Sequence, residues 1–280
     1  MIKTIAVVGA GTMGSGIAQV AAQNGHSTIL FDLNKEMLEK AAISIKKSLQ
    51  YLADKESISP EQQQQFFKNI LFTSNSNDCI ANLIIEAIVE KVTAKIELFN
   101  QLATFNTATT IFATNTSSLS ITEIQAAIIH PQRVVGMHFF NPAPVMKLVE
   151  IVQGAQTDDA TVQAIYWLCK SMNKTPVICK DAPGFIVNRI ARQYYLEAMQ
   201  LVEEGIATIE NVDTVMEATG FKMGPFKLMD LIGLDINLAV SKSIYDAFKQ
   251  EQRFAPAALQ MDKVGKGELG RKTGKGFYNY

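Results

Sequence analysis

Of the three histidines in this chain, one is placed for proton transfer. His26 follows Gly25 at the end of a helical pattern and serves a turn, and His130 precedes Pro131 in a loop. His138 instead closes the apolar run Val134-Val135-Gly136-Met137, which reads as a strand. Glu150 sits in a second apolar run, Leu148-Val149-Glu150-Ile151-Val152. The linker 139–147 is short and carries Pro142 and Pro144, so it cannot hold the crossover that a parallel connection needs. The two strands should therefore run antiparallel, with the end of one beside the start of the next and Glu150 near His138. A carboxylate there orients the imidazole and steadies the imidazolium that forms when it acts as a general base. Thr114-Asn115-Thr116-Ser117-Ser118-Leu119-Ser120 follows another apolar run. Ser120 with Glu123 matches a helix cap, whereas Ser117 or Ser118 could donate to a substrate oxygen. A base beside neutral donors suits hydride transfer at a secondary alcohol.

A hydride needs an acceptor, and the N-terminus supplies a place for one. Thr4–Val8 is a β-branched strand pattern, followed by Gly9-Ala10-Gly11-Thr12-Met13-Gly14 and a helical stretch to Asn24-Gly25. A second apolar strand then ends on Asp32, 18 positions after Gly14. Gly9 permits the tight turn, Gly11 lets backbone approach a pyrophosphate, and Gly14 lets the helix pack closely on the strand. The helix N-terminus offers amides to the phosphates. Asp32 can accept from both adenosine ribose hydroxyls and repels a 2′-phosphate, which favours NAD over NADP; Lys35 nearby works against that repulsion. Strand, glycines, helix, strand and terminal acid in this order form the dinucleotide fingerprint.

The remaining elements must carry these groups. Strand patterns recur at 69–73, 83–87, 110–114, 133–139, 147–152 and 175–179, with helical patterns at 91–104, 120–129 and 158–172. This alternation predicts an open α/β sheet, whose ligand crevice lies beyond the carboxyl ends of the strands. The interval 34–68 is too long for one crossover helix. Ser59-Pro60-Glu61 reads as a fresh helix start, so a helical hairpin standing out from the sheet is expected, with Lys40, Lys46, Lys47 and Lys55 on a solvated or anion-binding face. After Asp181-Ala182-Pro183-Gly184 clear strands cease. A boundary near residue 182 then separates a Rossmann-type dinucleotide-binding domain, 1–182, from an all-α domain, 183–280. Within the latter, Phe185 to Glu204 reads as one long helix stopped by Gly205, and Leu238 to Gln252 as another.

Bulk properties narrow the function classes. The 280 residues carry a formal net charge of −1, so no general positive field points to nucleic acid or a membrane surface. Cys79, Cys169 and Cys179 match no metal or redox spacing and read as reduced, buried thiols. No stretch reads as a targeting segment or as a membrane-length apolar run, and a cytoplasmic location is expected.

On these motifs the sequence resembles the 3-hydroxyacyl-CoA dehydrogenase family over essentially its whole length. The resemblance rests on Gly9-Ala10-Gly11-Thr12-Met13-Gly14-Ser15-Gly16, on Asn115-Thr116-Ser117-Ser118-Leu119 and on His138-Phe139-Phe140-Asn141-Pro142 running to Glu150. It continues through Lys180-Asp181-Ala182-Pro183-Gly184-Phe185-Ile186-Val187-Asn188-Arg189, Met223-Gly224-Pro225-Phe226 and Lys272-Thr273-Gly274-Lys275-Gly276-Phe277-Tyr278. It implies NAD-dependent interconversion of an L-3-hydroxyacyl-CoA and a 3-ketoacyl-CoA, with His138 as base and Glu150 as its partner. Ser117 and Asn188 would contact the 3-oxygen, with Asn141 in the same shell. The implied cofactor set is Gly9, Gly11, Thr12, Met13, Gly14, Asp32, Glu90, Lys95, Asn115, Ser117 and Asn141. The hairpin would receive coenzyme A, and a homodimer would form through the C-terminal helices. Lys91 and Lys227 sit where other residue types are usual. The competing readings are a dehydrogenase of this fold acting on a sugar acid without coenzyme A, and a non-catalytic NAD-binding protein.

Overall fold

Strand β1 (Thr4–Val8) is apolar on both faces and buried, with Ile5, Ala6 and Val7 wholly inaccessible, as befits the middle of a covered sheet. The computed structural model describes residues 2–280. From β1 the chain passes through α1 (Thr12–Gln23) to β2 (Ser27–Phe31), then α2 (Lys35–Asp54), α3 (Pro60–Lys68) and β3 (Ile70–Thr73). It crosses to β4 (Leu83–Glu86), α4 (Val92–Ala103), β5 (Ile111–Thr114), α5 (Ile121–Gln125) and β6 (Val134–Phe139). It closes with β7 (Leu148–Gln153), α6 (Asp159–Ser171) and β8 (Thr175–Lys180). The eight strands lie in the order β3-β2-β1-β4-β5-β6-β7-β8. Every neighbouring pair is parallel except β6 and β7, which run antiparallel as the short proline linker requires.

Strand alternation decides where the candidate base points. Val135, Met137 and Phe139 of β6 and Val149 and Ile151 of β7 join one large apolar core with α1, α2 and α6. His138 and Glu150, being the intervening residues, face the other side.

The interval 34–68 carries two helices in place of a single crossover. Both helices form, and Ser59 caps α3 in a full capping box with Gln62 and Pro60 at its start. One face of α2 is anchored. Leu38, Ala41, Ile45 and Leu49, spaced three and four apart, form a buried stripe within the main core. Only α3 has no buried residue. The expected helix 120–129 is shorter, ending at Gln125, whose fully buried side chain donates to the Pro131 carbonyl.

The chain divides into two compact units, Met1–Ala182 and Pro183–Tyr280. The second is all helical: α7 (Val187–Glu203), α8 (Ile209–Ala218), α9 (Pro225–Ile232), α10 (Leu234–Ala247) and α11 (Ala258–Gly265). The expected helix at Phe185 begins at Val187 instead, because Gly184 and Phe185 take successive positive φ angles of 73° and 49°. The helix expected from Leu238 starts at Leu234 and stops before Lys249 and Gln250, which are both left-handed. Tyr195, Met199, Phe226, Met229, Leu234 and Phe277 form this unit's core. Among the described residues no helix is long and apolar enough to cross a membrane.

Candidate active site

The glycine loop has the shape that a dinucleotide requires. Gly9 has φ 102°, and a Cβ there would lie 2.6 Å from the Ala87 carbonyl oxygen; a Cβ on Gly14 would lie 1.7 Å from that of Gly9. Strand, loop and helix are therefore in contact at distances no side chain permits. A Cβ on Gly11 would meet nothing within 4 Å, so the space over the loop is open at the N-terminus of α1. No side chain caps that terminus, which leaves its first-turn amides for a ligand's phosphates. Asp32, one residue beyond β2, accepts from the Ala10 amide at 2.8 Å and the Asn34 amide at 2.9 Å. The acid is thus fixed against the loop with carboxylate lone pairs still available to ribose hydroxyls. These residues fit NAD. Thr12 and Met13 open α1, and Lys35 is exposed on its neighbour α2.

At the ends of β6 and β7 the register pairs His138 directly with Glu150. The imidazole Nδ1 lies 2.7 Å from Glu150 Oε2, in surroundings where His138 is 6% and Glu150 1% exposed. A buried carboxylate accepts, so Nδ1 carries the hydrogen and Nε2 the basic lone pair. The Phe140 ring packs on the imidazole at 4.5 Å between centroids. Asn115, following β5, accepts from the Phe139 amide at 2.9 Å and ties the His138 strand end to the next loop.

A second cluster joins β4, β5 and α4. Glu86, the last residue of β4, accepts from the Ile88 amide at 2.6 Å, Lys95 Nζ at 2.7 Å and Thr114 Oγ1 at 2.7 Å. Lys95 also pairs with Glu90 at 3.1 Å. Glu90 in turn accepts from Thr116 Oγ1, from the Ser117 amide at 3.0 Å and from Ser118 Oγ at 3.3 Å. Burial pushes both carboxyls up. At Glu90 the Lys95 charge and the bonds from Thr116, Lys95 and Ser117 outweigh it and hold that carboxyl below its ordinary range. At Glu86, wholly buried, the net direction is upward against the same kinds of opposing contact.

The N-terminal unit thus sets His138 near the carboxyl end of β6 beside Glu150 near the start of the antiparallel β7, with Asn115 and Ser117 following β5, Glu90 following β4 and Lys95 in the first turns of α4. Asn141 is exposed, ahead of the cis Pro142, in a loop whose Ala143 and Met146 carbonyls accept from the buried Lys174. Asn188 is the second residue of α7, in the helical unit. Glu86 and Thr114 escaped the sequence reading, although a glutamate closing an all-apolar strand was a visible signal. Cys79 and Cys169 are buried and Cys179 is half-buried rather than buried as expected.

Two family models match the chain: "3-hydroxyacyl-CoA dehydrogenase, NAD binding domain" over residues 4–182 and "3-hydroxyacyl-CoA dehydrogenase, C-terminal domain" over 184–280. The chain is 44% identical over 281 residues to the 3-hydroxyadipyl-CoA dehydrogenase of Escherichia coli K12, covering 100% of this chain and 59% of that protein. It therefore spans about three fifths of that relative's length. It is 41% identical over 288 residues to the mitochondrial hydroxyacyl-coenzyme A dehydrogenase of Rattus norvegicus, covering 100% of this chain and 92% of that one. Among solved structures, the (S)-3-hydroxybutyryl-CoA dehydrogenase of Ralstonia eutropha matches with a TM-score of 0.96 at 38% identity, covering 100% of this chain and 99% of that one.

Proposed function

This chain belongs to the 3-hydroxyacyl-CoA dehydrogenase family, and from that premise we propose that it interconverts L-3-hydroxyacyl-CoA and 3-ketoacyl-CoA with NAD, 3-hydroxybutyryl-CoA and acetoacetyl-CoA being the reference pair. The observation that carries the proposal is the buried His138–Glu150 pair at 2.7 Å. NAD supplies the hydride acceptor. His138 Nε2 takes the 3-hydroxyl proton, and Glu150 steadies the imidazolium that forms. In the reductive direction the same imidazolium returns the proton to the 3-oxygen. Ser117 and Asn188 donate to that oxygen as its charge develops, with Asn141 nearby in the same role. Asn115 acts by fixing the backbone beside His138.

Coenzyme A is assigned to the hairpin. Lys40 and Lys47 are exposed on α2 and suit its phosphates, whereas Lys46 and Lys55 lie over the rings of Phe67 and Tyr51. A homodimer through the helical unit is part of the same reading, supported by exposed Ile190, Ile206, Val215, Phe221, Leu231 and Ile236 there. So is a cytoplasmic location, for which the three unpaired cysteines speak.

The deciding experiment mixes the protein with NADH and acetoacetyl-CoA and follows nicotinamide absorbance. Decay that needs all three components is expected. No decay with acetoacetyl-CoA or longer 3-ketoacyl-CoAs would remove the assignment.

A further inference from the structure

The cluster of Glu86, Lys95 and Glu90 holds two carboxylates against one ammonium, at 2.7 and 3.1 Å. Glu86 and Lys95 are 0% and 1% exposed in their side chains, and Glu90 is 38% exposed. Glu86 receives an amide, an ammonium and a hydroxyl. Thr114 Oγ1 donates to Glu86 and accepts from the Thr116 amide. Such a donor set suits a carboxylate, which only accepts, and not a carboxylic acid. The ionised cluster then carries a net charge of −1, shielded from water on the Glu86 side.

Strand order places this charge along the cofactor. Asp32 marks the adenosine ribose at the end of β2, and the glycine loop marks the pyrophosphate at the end of β1. Continuing in the same direction across the sheet come β4, β5 and then β6, with His138 near its end. A dinucleotide extended from Asp32 toward His138 therefore lays its nicotinamide half over the ends of β4 and β5, where Glu86, Glu90 and the 114–118 turn lie. The oxidised nicotinamide ring carries a positive charge and the reduced ring none. A fixed negative charge under it distinguishes the two redox forms, and a neutral scaffold does not.

We propose that the Glu86–Lys95–Glu90 cluster biases the bound cofactor toward its oxidised form, and that Glu86 sets this bias as a buried charge that does not itself touch the cofactor. The inference rests on NAD lying in the crevice assigned above. It gives Glu86 a task separate from holding Lys95. Removing its charge alters the relative affinity for two molecules that differ by one hydride, and leaves their common adenosine and pyrophosphate contacts alone.

The test measures the dissociation constants of NAD⁺ and NADH separately, by calorimetry, for the unmodified protein, Glu86→Gln, Glu86→Asp and Glu90→Gln. Loss of a charge in Glu86→Gln should raise the ratio Kd(NAD⁺)/Kd(NADH) roughly tenfold, the scale set by one charge at a protein site's effective dielectric. A tenfold change corresponds to about 30 mV in the potential of the bound two-electron couple, toward the more oxidising side. Glu86→Asp keeps the charge while shortening the side chain, and its ratio should stay within about twofold of the unmodified value. Glu90→Gln should shift the ratio in the same direction as Glu86→Gln, and it serves if the buried variant does not fold. An unchanged ratio, or equal loosening of both cofactor forms, would overturn the proposal and leave Glu86 a structural residue. Failure of the unmodified protein to bind either form would instead overturn the functional reading on which it depends.

Discussion

The two units bury ionisable side chains to the same extent and use them differently. In the N-terminal unit Glu150 meets an imidazole, and Glu86 meets an ammonium and a hydroxyl. In the helical unit Asp213, 0% exposed, accepts from the Phe226 and Lys227 amides and the Tyr278 hydroxyl. Asp230, 1% exposed, accepts from the Phe277 and Tyr278 amides and the Tyr280 hydroxyl. Asp213 thereby caps the start of α9, and Asp230 ties the turn-rich tail to the core on which Phe277 packs edge-on against Phe226. Burial alone therefore does not mark chemistry. The partner does: an acid held by helix and tail amides and a tyrosine hydroxyl is architecture, and an acid paired with an imidazole or an ammonium beside the carboxyl end of a parallel strand can hold or move charge.

The expected outcomes probe that distinction in descending order of size. His138→Gln should lower turnover about a thousandfold while the NADH dissociation constant stays within about twofold. A matching loss of cofactor affinity would place His138 with the structural acids instead. Asp230→Ala should do the reverse. It strands two amides in the helical core and should cost about 3 kcal/mol in urea unfolding, with turnover per folded molecule retained. Loss of turnover in the folded fraction would dissolve the contrast between the units. Asp32→Ser should lower the preference for NADH over NADPH about tenfold, since one repulsive charge is removed from a partly exposed site; an unchanged ratio would mean that another group excludes the 2′-phosphate. The smallest effect concerns the thiols. Burial, with Asp78 beside it, pushes Cys79 up to about 12; burial takes Cys169 to about 12 and, with the charges of Glu150 and Asp181, Cys179 to about 11. At pH 8 all three should alkylate far more slowly than free cysteine, with the rate still climbing above pH 9, and react at once in denaturant. Rapid native labelling would show that these sites open to water.

The same contrast explains what could be read without the structure. The glycine loop was legible because steric limits act locally: Gly9 and Gly14 stand where a Cβ would strike backbone. The His138–Glu150 pairing was legible because nine linker residues with two prolines leave only an antiparallel return. The burial of α2 was not, because its stripe of Leu38, Ala41, Ile45 and Leu49 is as compatible with a free amphipathic hairpin as with a packed one until α1 is in place. Helices α8 and α9 were obscured by Gly220, Gly224 and Pro225. Those residues punctuate the helices: Gly220 follows the end of α8, while Gly224 and Pro225 open α9 under the Asp213 cap. That cap spans 13 positions to Phe226, and the Asp213–Tyr278 bond spans 65, too far for any local pattern. Glu86 lay in plain view as an acid in an apolar strand. Its partners Lys95 and Thr114 arrive only when α4 and β5 pack beside β4.

The central claim is that His138 and Glu150 act as one proton-carrying unit. A double-mutant cycle on turnover with NADH and acetoacetyl-CoA tests it most directly, using His138→Gln, Glu150→Gln and the pair together. Glu150→Gln alone should cost about a hundredfold through loss of the oriented imidazole. The double variant should be no slower than His138→Gln alone, because Glu150 has nothing left to orient. Losses that multiply in the double variant would show the two residues working independently and would contradict the pairing.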